Sequence, residues 1–250
     1  MFFLSFTKFR IPQGDSVMAR INENLGLSQV EPPGDNWICA LKPLIKASGH
    51  ERSLWGQIIE KPDTVLLYTE WESQVKYDKF RQSVGYTELY WPALSVVDSP
   101  SVQTALYSDY CALPRIKYMT IITCYFPSTL SEENRKRINN PKFQGLHMTG
   151  VGRIGGNVNP NNLHYYLPKK MWATDLEKKD GVEMRALIWL HFWKNAETEK
   201  QFLRRTRPVG IVGNEQIPVK EEFEQRLRDH DCREMIVEHF NLIRVNLGEL

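Results

Sequence analysis

The stretch from Asp63 to Leu94 reads DTVLLYTEWESQVKYDKFRQSVGYTELYWPAL. Val65, Leu66, Leu67 and Tyr68 form an apolar run of the kind that makes strands. Trp71 closes the run, and the polar pair Glu72-Ser73 starts a helix. Val75, Phe80, Val84 and Leu89 recur there at roughly helical spacing, with Lys76, Asp78, Lys79 and Arg81 between them. The same order returns from Ala186 to Arg205, ALIWLHFWKNAETEKQFLRR. A second apolar strand ends on Trp193, Lys194-Asn195 follows, and a helical run begins at Ala196. The recurrence predicts two copies of one unit.

Working outward, Phe2 to Ile11 reads as a strand ended by Pro12-Gln13-Gly14. Asp15 then caps a short helix to Leu25, and Asp35 opens a second stripe through Ile45, with Pro43 inside it. Ser53 to Glu60 is the next strand and Gln103 to Leu113 the last of the first half. The order is β-α-β-β-α-β, the split βαβ arrangement. From Lys117 it restarts. Tyr118 to Phe126 is a strand, Ser131 caps the helix Glu132 to Asn139, and Leu146 to Ile154 is the second strand. A Gly/Asn-rich loop follows, then a short strand at His164 to Leu167 and a polar excursion from Lys169 to Gly181. Val182 to Trp193, a helix broken at Pro208, the charged helix Lys220 to Asp231 (Phe223 and Leu227 inward) and a strand from Glu238 to Val245 complete the order. The units are expected at residues 1–114 and 115–250.

The totals bound the function. With 32 basic against 30 acidic residues the formal net charge is +2, which gives no support for a nucleic-acid surface. No apolar run approaches the roughly 20 residues of a membrane span. Met1 to Ile11 reads as a strand and not as a signal peptide. Cys39, Cys111, Cys124 and Cys232 lack CxxC spacing, so they are expected as reduced thiols of a cytoplasmic protein. The 7 Trp, 10 Tyr and 11 Phe suit two cores or a cavity for a flat, apolar ligand.

The repeated order, with Leu66-Leu67-Tyr68-Thr69-Glu70-Trp71-Glu72-Ser73 running into a helix, resembles the dimeric α/β-barrel superfamily, including its antibiotic-biosynthesis-monooxygenase-like and EthD-like members. Trp71 and Trp193 match that family's strand-end Trp. Glu72-Ser73 matches its polar helix start, and Lys194-Asn195 departs from it. The resemblance implies an α+β fold: two tandem ferredoxin-like units forming a pseudo-dimeric α/β barrel with its helices outside. It carries no universal catalytic signature. A likeness to fungal secondary-metabolite pathway proteins points to a cofactor-independent cyclase or isomerase acting on an apolar polyketide- or terpenoid-like intermediate. A cofactor-free monooxygenase of a phenol or anthrone is the second reading, and a non-catalytic binding or stress-associated protein the third. A small-molecule substrate is the expected partner, and a homodimer of pseudo-dimers is a further expectation.

Strand alternation sorts the candidate residues. Ile188, Leu190 and Phe192 are purely apolar and are expected under the helices, like Leu66, Tyr68 and Glu70. The other sets, Leu187, Trp189, His191, Trp193 and Val65, Leu67, Thr69, Trp71, would then line the cavity. His191 is the expected acid–base group, because His titrates near neutral pH. Trp189, Trp193, Trp71, Thr69, His147, Tyr125 and Trp55 are the expected substrate contacts. His50, His164, Tyr165-Tyr166 and Tyr90-Trp91 are further cavity candidates. Gly150-Val151-Gly152-Arg153-Ile154-Gly155 imitates a dinucleotide loop but follows no strand-to-helix turn. His230 and Cys232 read as a solvated helix end, so neither cofactor nor metal is expected.

Overall fold

The computed structural model describes residues 2–10, 41–91, 100–107, 117–140, 143, 146, 164–208 and 216–244. The expected helices at 15–25 and 35–40, the Gly/Asn-rich loop, His147 and most of the expected strand 146–154 lie outside the described residues. The chain divides into two compact units. One is Met1–Pro114 with Asn241–Leu250, and the other is Arg115–Phe240. The C-terminal segment, expected to finish the second unit, thus groups with the first.

The first unit runs β1 (Phe2–Arg10), a helical turn at 41–45, β2 (His50–Ile58), β3 (Lys61–Trp71), α1 (Gln74–Arg81), a π-helical segment (Gly85–Tyr90) and β4 (Ser101–Tyr107). Its strand order is β4-β1-β3-β2, extended by β11 (Ile243–Arg244) on β2. β1 lies antiparallel between β3 and β4, with Phe3 opposite Trp71 and Ser5 opposite Thr69. That is the ferredoxin-like order. Ser73 is the N-cap of α1, its hydroxyl accepting from the Lys76 N–H. The buried residues of this helical stretch are Tyr77, Phe80 and Tyr90, whereas Val75, Val84 and Leu89 of the expected stripe are exposed. Of the expected stripe only Phe80 is buried. The sheet takes the rings instead, which bury more area each.

The second unit runs β5 (Tyr118–Pro127), α2 (Glu132–Asn139), β6 (His164–Lys179), β7 (Val182–Trp193), α3 (Ala196–Leu203), the ribbon β8 (Thr206–Pro208) and β9 (Gln216–Pro218), α4 (Val219–Asp229) and β10 (Glu234–Asn241). Its order, β10-β5-β7-β6, repeats that of the first unit. Asn195 caps α3 in a reciprocal box with Thr198, so the departing Lys194-Asn195 keeps the capping chemistry.

The polar excursion at 169–181 is corrected: this stretch is the long strand β6 and its hairpin turn. Met171 and Ala173 are buried on one face. On the other, Lys170 stands opposite Trp189, and its ammonium donates to the carbonyls of Ile138, Asn140 and Phe143 at the end of α2. A lysine that satisfies helix-end carbonyls can sit in a strand at little cost. The turn into β7 is Asp180-Gly181, with φ of 50° and 80°. Positive φ at both central residues is the tight hairpin turn that Asp-Gly favours. Cys124 and Cys232, distant in sequence, are hydrogen-bonded thiols. Burial raises Cys124, and the bond from Cys124 lowers Cys232.

A Cβ at Gly181 would meet nothing within 4 Å. Gly181→Ala should therefore cost only the backbone term, about 1 kcal/mol, read as a lower urea midpoint with unchanged slope.

Candidate functional site

The two faces of each sheet are the reverse of the expected assignment. In the second unit Leu187, Trp189 and Trp193 share a core with Phe202 of α3, with Val219, Phe223 and Leu227 of α4, and with Ile138 of α2. They are the helix-covered set. His191 belongs to it by alternation and is fully buried. Its Nε2 accepts from the Leu146 backbone N–H at 3.0 Å, and its ring stacks on Trp193. The geometric premise that gave His191 an acid–base role in an open cavity is therefore absent. Ile188, Leu190 and Phe192 are buried just as deeply on the opposite face. A strand buried on both faces carries no hydrophobic alternation, so apolarity alone could not choose the side. Tyr125 pairs with Ala186 and stands on that opposite face, with Lys179 3.6 Å above its ring. It cannot line one cavity with His191.

In the first unit Val65, Leu67 and Trp71 lie under Tyr77 and Phe80 of α1, and half-buried Trp55 packs on the same cluster. Here the helix-covered layer holds a narrow crevice whose free volume, about 10 Å³, is room for roughly one water, so a larger guest enters only if the rings part. Its polar walls are Ser5, Thr7, Tyr77, Tyr86 and Tyr90, and its apolar walls include Trp71, Phe80 and Trp91. The rings form a continuous chain. Trp71 lies 5.5 Å from Tyr77 and 5.1 Å from Phe80. Phe80 lies 5.3 Å from Tyr86 and 5.4 Å from Tyr90, and Tyr86 stacks on Trp91 at 5.7 Å. The π-helical turn Gly85–Tyr90 brings Tyr86, Tyr90 and Trp91 to one side, and such turns recur at functional sites.

The cavity's polar atoms are placed by neighbours. The Trp71 indole N–H donates to Ser5 Oγ at 3.2 Å, and Tyr90 hydrogen-bonds with Thr7. Burial pushes the Tyr90 hydroxyl up, so it remains a proton donor at neutral pH. Tyr86 is also raised by burial, against the opposing charge and hydrogen bond of Arg81. Behind Trp71 stands His50, edge-on at 5.9 Å. Its Nε2 is 2.9 Å from Ser53 Oγ, which is 3.1 Å from Thr69 Oγ1. Thr69 is thus spent in a hydroxyl chain beside the cavity. This arrangement offers flat walls and hydroxyl donors in a space that admits little water.

The second unit shows what the repeat does without a cavity. Trp193 donates to Thr120 Oγ1 at 3.0 Å, as Trp71 does to Ser5. Six residues past each Trp stand Tyr77 and Glu199, and nine past stand Phe80 and Phe202. Where Phe3 meets Tyr77 ring to ring at 4.9 Å, Tyr118 instead donates to Glu199 Oε2 at 2.8 Å. Thr120 donates to Oε1 at 2.7 Å, and His239 Nε2 lies 3.2 Å from it. Glu199 is buried and fully partnered. A third polar group lies on the opposite sheet face of the first unit. There Glu70 is bound by Arg52 at 2.6 Å and accepts from the Tyr68 hydroxyl at 2.6 Å. Burial raises its carboxyl, and Arg52 and Tyr68 oppose this.

Sequence reasoning named Trp71, Thr69, Trp55 and the Tyr90-Trp91 pair but placed the strand residues on the wrong side. It missed Ser5, Thr7, Tyr77 and Tyr86. A period-2 reading of β1 puts Ser5 and Thr7 on one face with Phe3 and Phe9, and two hydroxyls amid buried rings were the available signal. Among the described residues no cluster of three or more His, Cys, Asp or Glu could hold a metal, and no helix is long and apolar enough to cross a membrane.

No family model and no curated protein matches this chain. Solved structures do. A crystal structure of an anthrone oxidase-like protein aligns with TM-score 0.61 at 10% identity, covering 99% of this chain and 94% of that one. A monooxygenase assigned as such by its structure's description, from Fusobacterium nucleatum subsp. nucleatum, aligns with TM-score 0.51 at 8% identity, covering 100% and 96%. At such identities the likeness establishes the fold. It is a fold of two tandem ferredoxin-like units.

Two measurements check the groups around these layers. Burial lowers His50 from 6.5 to about 4, so the unfolded chain binds more protons between those values. His50 should contribute stability above pH 6.5 that is lost as pH falls toward 4, up to about 2–3 kcal/mol. Urea unfolding of His50→Gln across that window should lose this part of the slope. Glu199→Ala leaves the buried Tyr118 and Thr120 hydroxyls without their acceptor and should cost about 2–4 kcal/mol by urea unfolding, with Glu199→Gln intermediate.

Proposed function

We propose that this chain is an enzyme of specialised metabolism that oxygenates a flat, electron-rich phenol or anthrone-type ketone. The observation that carries this is the ring-walled cavity of the first unit, with its Tyr90–Thr7 and Trp71–Ser5 hydroxyl pairs. The fold likeness to an anthrone oxidase-like protein supports it. In the reaction, a ring methylene flanked by aryl groups gives up a proton to solvent. Dioxygen adds to the resulting carbanion, the peroxide anion takes a proton back from solvent, and the hydroperoxide loses its remaining ring hydrogen and its terminal OH as water, leaving the C=O. One CH₂ and one O₂ thus give one C=O and one H₂O. The protein's part is to seat the substrate rings against Trp71, Phe80 and Tyr86, which part to admit them, and to donate hydrogen bonds to the enolate oxygen from Tyr90 and Tyr86. The Arg81 charge beside Tyr86 favours that anion further.

Ring closure or isomerisation of a polyketide-like intermediate passes through a similar enolate, and the same donors would serve it. Oxygenation is preferred because the cavity's ionisable walls are tyrosines. An aldol closure with loss of water needs a carboxylate or imidazole that shuttles protons at the reacting carbons, and among the described residues neither lines this cavity.

The test is oxygen uptake with an anthrone substrate. One O₂ should be consumed per quinone formed, and Tyr90→Phe and Trp71→Phe should each lower kcat about 10–100-fold with fold retained. Turnover of a polyketide substrate under strict anaerobiosis would replace this reading with cyclisation. Ligand recovered unchanged after long incubation would leave a binding protein.

A further inference from the structure

We propose that a cationic groove beside the aromatic cavity takes the anionic end of the substrate, a carboxylate or a phosphate-bearing thioester arm, so that the substrate is an aromatic acid or its acyl thioester. The proposal rests on the reading of the cavity as the substrate site. The groove holds about 340 Å³ and is open to solvent. Its walls include Lys46, Lys76 and Lys79, the hydroxyls of Ser48 and Ser83, and one face of Phe80. Phe80 also walls the aromatic cavity, so one ring separates the two spaces. The chain at 43–47 serves both, Leu44 toward the cavity and Pro43, Lys46 and Ala47 toward the groove.

Among the described residues, three ammonium groups and no carboxylate line this groove. Lys46 and Lys79 are exposed and have no ion-pair partner among the described residues. Lys76 is held in place. Its ammonium donates to Ser48 Oγ at 2.9 Å and keeps only a long contact, 3.9 Å, with exposed Glu72. Its stem lies across the bare Cα of Gly49. A Cβ there would come within 2.5 Å of Lys76 Cγ, and φ at Gly49 is +84°. Glycine is required twice over, by backbone and by space. Ordering a lysine beside two others raises their mutual repulsion, which an incoming anion relieves. The Ser48 hydroxyl and three ammonium groups then supply charge-assisted hydrogen bonds, whereas Ser83 Oγ is spent on the Phe80 carbonyl.

The test is tryptophan-fluorescence titration of the full chain with three ligands on one ring system: a neutral anthraquinone methyl ketone, the anthraquinone carboxylate and the coenzyme A thioester of that acid. At low salt, at least one anionic ligand should bind about tenfold or more tighter than the neutral one. The advantage should shrink as salt is raised to about 0.5 M. The combined Lys46→Gln, Lys76→Gln, Lys79→Gln variant should lose it while its affinity for the neutral ketone stays the same. Whichever anion carries the advantage identifies free acid or thioester. Equal affinities in the unaltered chain, or an advantage that survives the triple variant, overturns the proposal. If the neutral ketone fails to bind while an anion binds through the lysines, the groove stands and the cavity reading falls. Should the triple variant lose its circular-dichroism signature, single Lys46→Gln and Lys79→Gln variants with the salt series decide in its place.

Discussion

One hydrogen bond sets the architecture of each unit. The indole N–H of the strand-end Trp reaches across to a hydroxyl on the central strand, Trp71 to Ser5 and Trp193 to Thr120. An indole buried without that partner would forfeit a donor. The bond therefore fixes the ring's plane and its depth over the sheet. The next helix begins two or three residues later, capped by Ser73 or Asn195. It must then lay its aromatic residue, Phe80 or Phe202, against that ring. Which sheet face the helices cover follows from the Trp side chain, not from the average apolarity of either face.

The two units show the same frame solved in two ways. In the second, the space under the helix is closed by a carboxylate: Glu199 collects Tyr118, Thr120 and His239. Such a set must be complete, since a half-satisfied buried charge costs more than an apolar filler. In the first, Phe3 and Tyr77 replace the polar pair, and the hydroxyls of Ser5 and Thr7 face rings and a narrow space. The aromatic layer leaves only a narrow crevice there, about 10 Å³.

The repeat, most strands and the helices after each Trp were legible because periodicity and caps are local properties. The register of β1 and β3 then follows from which residues can be buried. The side on which the helices lie was not legible. β7 is buried on both faces, so Trp189 and Ile188 carry equal hydrophobic signal and only tertiary packing separates them. β6 was hidden for a different reason. Lys170 reads as solvent-exposed in sequence, yet its charge is met by carbonyls of α2 contributed from some thirty residues earlier. The site was half legible. Trp71 and Tyr90-Trp91 announce themselves as large rings at element ends, whereas Tyr86 joins them only through the π-helical turn, whose extra residue no 3.6-residue period anticipates.

The divergence of the units also explains where charge can be used. A buried carboxylate near an enolate would raise the barrier to forming it, by like-charge repulsion in a medium that screens poorly. The second unit holds Glu199 at the position where the first holds Tyr77, so only the first presents neutral donors there. Its flank adds cations in the right sense, with Arg81 at Tyr86 and the lysines beyond Phe80. None of them sits inside the cavity, where desolvation would offset its attraction. In the proposed reaction, a field built from outside the aromatic layer would lower the energy of a delocalised anion whose proton leaves to solvent.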